Sequence, residues 1–154
     1  WGEPVPLEGD VNTGANETMA AISNDGLMVF VSNHSRMGGG GYDLGEARQD
    51  DSGAWVFQRA LDELNDARAN DHICLTDDGQ YLFFYSHRQP KLGVVDIWIS
   101  QRHEDDQWRE PINPGPPLST PIADFGAGLS GDGKTLFFSR GGKLMWIPID
   151  SVLP

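Results

Sequence analysis

Tryptophan recurs at Trp1, Trp55 and Trp108, at steps of 54 and 53 residues, and this period constrains the fold more than any other feature of the chain. Other landmarks keep the same step. The pairs Asp25-Gly26, Asp78-Gly79 and Asp132-Gly133 put their glycines 53 and 54 apart, and Arg36, Arg88 and Arg140 come close to it at 52 and 52. Val11-Asn12, Leu64-Asn65 and Leu118-Ser119 lie at nearly matching offsets after each tryptophan, and Asp43 pairs with Asp96 before a short apolar segment. The 154 residues therefore read as one unit made of three repeats, approximately 1–54, 55–107 and 108–154.

Inside each repeat the Asp-Gly pair marks a tight turn between two strands, because such a turn needs a residue that tolerates positive φ. The strands that follow are Leu27 to Val31, Tyr81 to Tyr85 and Thr135 to Phe138. They show no polar alternation, so burial on both faces is expected, as in stacked sheets. Third strands are expected over Tyr42 to Arg48, Val95 to Arg102 and Lys143 to Ile149, with the tryptophan segment as a fourth. Helix formers between Arg59 and Arg68 compete with a strand there, but the matching segments carry Pro4, Pro6, Pro111 and Pro114, which favours extended chain throughout.

Composition removes several function classes. A net charge of -12 repels a phosphate backbone, and no cluster of Lys and Arg forms a basic stripe. No apolar run approaches the roughly 18 to 20 residues that span a bilayer as a helix. The single cysteine, Cys74, excludes an internal disulfide and reads as a small buried hydrophobe between Ile73 and Leu75. There is no Gly-x-Ser-x-Gly elbow, phosphate loop or dinucleotide fingerprint. Gly38 to Gly41 reads as a turn, and Glu104-Asp105-Asp106 as a solvated acidic hairpin. His34, His87 and His103 fall into no ligand motif.

The motifs Trp1-Gly2-Glu3-Pro4, Trp108-Arg109-Glu110-Pro111, Ser23-Asn24-Asp25-Gly26, Ser130-Gly131-Asp132-Gly133, Ser86-His87-Arg88, Asp96-Ile97-Trp98 and Tyr42-Asp43-Leu44 resemble the WD40-like β-propeller repeat of the TolB type. That family is found in many bacterial envelope and secreted proteins. The resemblance covers nearly the whole chain and implies an all-β fold of three four-stranded blades, with a periplasmic or secreted location. Gly45 departs from it where Trp98 and, approximately, Trp146 stand, as does Val56-Phe57-Gln58.

Three blades do not close a ring, since propellers use about four to eight. A C2 homodimer gives six blades and is the expected partner arrangement. In it, Trp1 to Leu7 of one chain is expected to complete the third blade of the other; a fragment of a longer propeller is the competing reading. The first strand of each blade then lines a channel, with Glu17, Asn70 and Asp124 at equivalent offsets and Asp71 and His72 just inside the second. These five are the candidate ligand-binding residues. The expected function is a non-enzymatic module that holds a glycan, peptide or protein. The alternative is a saccharide lyase or hydrolase assisted by a divalent cation (Ca, Mn or Zn) on Glu17, Asp71, His72 and Asp124.

Overall fold

Each Ser/Thr-x-Asp-Gly segment closes a hairpin for the same local reason. The hydroxyl of Ser23, Thr76 or Ser130 donates to the aspartate two residues on. That carboxylate then accepts a backbone N–H from beyond the turn, of Leu27, Gln80 or Lys134. Gly26, Gly79 and Gly133 take φ of +80°, +70° and +68°, a region that glycine reaches without steric cost.

The computed structural model describes residues 2–38 and 41–154, and its strands form three antiparallel sheets. The first contains β1 (Glu17–Ile22), β2 (Met28–Ser32), β3 (Asp43–Gln49) and β4 (Trp55–Ala60) in that spatial order. The second contains β5 (Asn70–Leu75), β6 (Tyr81–Ser86) and β7 (Asp96–Gln101), and the third β8 (Asp124–Leu129), β9 (Thr135–Arg140) and β10 (Lys143–Pro148). The Arg59 to Arg68 segment is strand as far as Ala60; beyond it, Leu64 and Asn65 donate to the Leu61 carbonyl in one turn. The tryptophan segment supplies all of β4 in the first sheet. In the second it forms no strand: Ile112 bridges Ile99 of β7, Trp108 bridges Arg102 just beyond it, and the Arg109 N–H donates to the Gln101 carbonyl, because Pro111 and Pro114 have no N–H to continue a ladder.

Trp1, Gly39 and Gly40 lie outside the described residues, so the tryptophan that opens the first repeat and the centre of the Gly38 to Gly41 turn do too. Residues 2–7 form no strand. The next residues pair within their own chain: the Asp10 N–H donates to the Trp55 carbonyl at 2.9 Å, and the Trp55 N–H to the Glu8 carbonyl at 2.8 Å.

The repeated arginines hold each sheet to the segment before it. Arg36 donates to the carbonyls of Asp10 and Val11, Arg88 to that of Leu64, and Arg140 to those of Pro117 and Leu118. Each guanidinium also lies against a ring: Phe57 for Arg36, Phe84 and Trp98 for Arg88, Phe138 for Arg140. They are packing residues. Asp96 is likewise buried and structural, accepting from the backbone of Leu92 and Gly93 and from the Asn113 amide.

Strand β5 packs on β1, β2 and β3, and β8 packs on β5, β6 and β7. Between the first two sheets lie Leu27, Val29, Val31, Ile73, Leu75, Leu82, Phe84 and Trp98. Between the second and third lie Cys74, Phe83, Ile97, Ile99, Leu136 and Phe138. Cys74 is buried, and desolvation pushes its thiol up to about 11, which leaves it an inert packing group. Strands β2 and β6 are buried on both faces as expected. Strand β9 is not: Phe137 is 46% exposed, because no further sheet lies on that side among the described residues.

Candidate functional site

The first strands β1, β5 and β8 each carry a one-residue bulge near their start, between Glu17 and Met19, Asp71 and Cys74, and Phe125 and Gly128. A bulge breaks the alternation of the strand and re-aims the side chains beside it. Glu17, Asn70 and Asp124 precede these bulges, opposite Ser32, Ser86 and Arg140.

All three are tied to their own sheet. Glu17 accepts from the Thr13 hydroxyl at 2.7 Å, the Thr13 N–H at 3.2 Å and the Ser32 hydroxyl at 2.9 Å. Burial pushes its pKa up, but these bonds and the Arg36 charge outweigh that and hold it below the ordinary value. Asn70 is fully buried, donating to the Arg68 carbonyl and accepting from Arg88 at 3.1 Å. Asp124 is also fully buried, with Arg140 Nε 2.5 Å from Oδ1 and the Thr120 N–H and hydroxyl on Oδ2 at 2.7 and 2.9 Å. Among the described residues no three His, Cys, Asp or Glu side chains form a group suited to a metal ion.

Asp71 and His72 are different. His72 has φ of +48°, at the bulge position that Gly126 occupies with φ of +70° in the third sheet. A side chain has been kept where the backbone favours glycine, at a cost of about 1–3 kcal/mol. The ring lies 4.9 Å from Tyr85 and 6.2 Å from Phe125, centroid to centroid, and Tyr85 is 5.9 Å from His87. Asp71 Oδ1 accepts the His72 N–H at 2.7 Å, while Oδ2 lies 4.0 Å from Nδ1. Nδ1 is inaccessible and lacks a hydrogen bond, yet 44% of the side chain is exposed. The solvent-facing part of the imidazole is therefore the opposite edge. Burial, then the Asp71 charge, raises the Tyr85 pKa.

Sequence reasoning named Asp71 and His72 but not Tyr85 or Phe125, which come from β6 and from the next sheet. One signal was available. His72 stands two residues after Asn70, as Gly126 does after Asp124 and Met19 after Glu17, so the second repeat carries a histidine where the third has glycine.

At the other end of the sheets, Asp25 joins the first turn to the second sheet through Arg102 at 3.2 Å and meets Arg48 at 3.0 Å. Burial raises its pKa, but hydrogen bonds from Ser23, Arg48, Arg102 and the Leu27 N–H prevail and hold it far below the ordinary carboxylate range. A depressed folded pKa gives stability that is full above the unfolded value, near 4, and is lost as pH falls toward the folded one. Asp25→Asn is expected to reduce the loss of stability below pH ~4; urea midpoints measured down the acid range check this, and an unchanged pH slope counts against it.

No protein-family profile and no curated protein sequence matches the chain. Among solved structures it is similar to an alpha-L-arabinofuranosidase from Lactobacillus brevis, with a TM-score of 0.56 and 14% identity, over 96% of this chain and 56% of that one. At that identity the likeness is one of fold, and the chain spans little more than half of that structure's length. No helix among the described residues is long and apolar enough to cross a membrane.

Proposed function

We propose that the chain is a three-bladed segment of a β-propeller that works as a binding and assembly module rather than as an enzyme, with a second copy closing the ring to six blades. The observation that carries this reading is a change of exposure at equivalent positions. Ile97 and Ile99 pair with Tyr85 and Phe83, and Leu144 and Trp146 pair in the same way with Ser139 and Phe137. Phe83, Ile97 and Ile99 are buried under the third sheet, whereas Phe137, Leu144 and Trp146 are 46%, 89% and 66% exposed.

The first sheet is open on its opposite side. Ile22, the counterpart of buried Leu75, is 53% exposed there. A cavity of about 200 Å³ with walls that include Leu7, Val11, Met19, Ala20, Met28 and Phe30 adjoins it. One end thus projects large apolar side chains and the other is recessed, as a head-to-tail pair of copies requires. Covering each projecting side chain contributes about 1.5–3 kcal/mol. Repulsion between two chains of charge -12 opposes this and is screened by salt.

The expected solution mass is twice 16.9 kDa, more completely so as salt is raised. Leu144→Lys combined with Trp146→Lys should return it to 16.9 kDa with the far-ultraviolet dichroism unchanged. Light scattering that finds only the smaller mass for the unaltered chain, at high salt and concentration, overturns the second copy as the occupant. The module's ligand is held where β5 and β8 begin, since the His72 side chain is 44% exposed there, with the Asp71 carboxylate, 15% exposed, beside it. No specific observation favours the cation-assisted saccharide lyase or hydrolase, because donors of the same chain already hold the oxygens of Glu17 and Asp124.

A further inference from the structure

The geometry points to a saccharide-binding subsite built on His72, with Tyr85 and Phe125 as its apolar platform and Asp71 and the outer edge of the imidazole as its polar rim. It rests on the binding-module reading and names the ligand class. Three features converge on it. His72 is held at positive φ where its counterpart is Gly126, so the side chain is retained against a local backbone preference. The exposed part of its ring lies away from Nδ1, which leaves Nε2 to meet a hydroxyl. Phe125 belongs to the next sheet and is 37% exposed, so the platform bridges two sheets where their first strands begin.

The ring spacings choose the ligand. A cage for an ammonium group needs aromatic walls set apart around a void. Here the rings touch one another at tilted and edge-on angles of 54°, 75° and 88°, filling the space between them. What remains is a surface of Phe125, 37% exposed, and the His72 side chain, 44% exposed, with the Asp71 carboxylate, 15% exposed, beside them. A pyranose or furanose presents the complement, with C–H groups on its face and hydroxyls around its rim.

The test uses the full chain and neutral linear trisaccharides of glucose, mannose, galactose and xylose, followed by saturation-transfer NMR and by the imidazole proton shifts of His72. At least one sugar is expected to bind with transfer to its ring protons and a shift at His72. His72→Gly should fold as well as the parent, because glycine suits that φ, and should weaken binding at least tenfold; Phe125→Ala should do the same. Absence of binding by all four sugars, or unchanged affinity in His72→Gly, overturns the subsite, and so does binding of tetramethylammonium in place of any sugar. Light scattering on the same samples separates the two readings. A dimer that binds no sugar removes the subsite alone, whereas a monomer that binds sugar through His72 removes the ring closure alone.

Discussion

Arg140→Ala is expected to lower the unfolding free energy by about 3–5 kcal/mol, the range for removing one partner of a buried ion pair. The reason is what the substitution leaves behind. Asp124 is fully buried and its Oδ1 faces the Arg140 Nε at 2.5 Å; without the guanidinium that oxygen has lost its cationic partner inside the protein. The same change frees the carbonyls of Pro117 and Leu118, which Arg140 bonds at 2.7 and 2.9 Å, and so loosens the chain leading into β8. Arg48→Ala, at a pair whose side chains are 37% and 45% exposed, should cost no more than about 1 kcal/mol. Urea denaturation of both variants gives the comparison. A loss below about 1 kcal/mol for Arg140→Ala would show that Asp124 is solvated, and would return it to the set of carboxylates open to a ligand.

The second large effect separates two phenylalanines at the same place in the repeat. Phe83→Ala should destabilise the folded chain by about 3–5 kcal/mol, as deletion of a fully enclosed ring does, because Phe83 is packed between the second and third sheets. Phe137→Ala should cost less than about 1 kcal/mol of unimolecular stability, since its ring is open to solvent in the single chain. Its consequence should appear instead in self-association, weakened at least tenfold. Denaturation at low protein concentration reads the first quantity and the concentration dependence of mass reads the second. Equal stability losses at the two positions would mean that the third sheet's face is already covered within one chain.

Much of the architecture was legible in the sequence because repetition makes a local signal redundant. The Asp-Gly turns, the apolar second strands and the third strands recur at one step, and each obeys local rules of φ, hydroxyl capping and apolar content. Arg36, Arg88 and Arg140 stood out by their recurrence, and the structure makes all three packing residues. The aromatic equivalence was off by one residue: Gly45 and Trp98 face Phe30 and Phe84, and in the third sheet Met145, not Trp146, faces Phe138. The helix-like side chains after Ala60 form only a turn, because Leu61 and Leu64 are drawn into the core between the first two sheets.

The candidate site was only half legible. Sequence offsets grouped Glu17, Asn70 and Asp124 as equivalent, and equivalent they are, but offsets do not reveal that Thr13, Arg88, Thr120 and Arg140 engage them. Nor do they show that Tyr85 and Phe125, 40 residues apart in the chain, converge on His72. By itself the sequence determined the three repeats, their hairpins and the all-β class, since those depend on turn chemistry and apolar content within about ten residues. Tertiary structure alone decided which polar groups are satisfied internally and which face is left open, because both depend on how one sheet lies against the next.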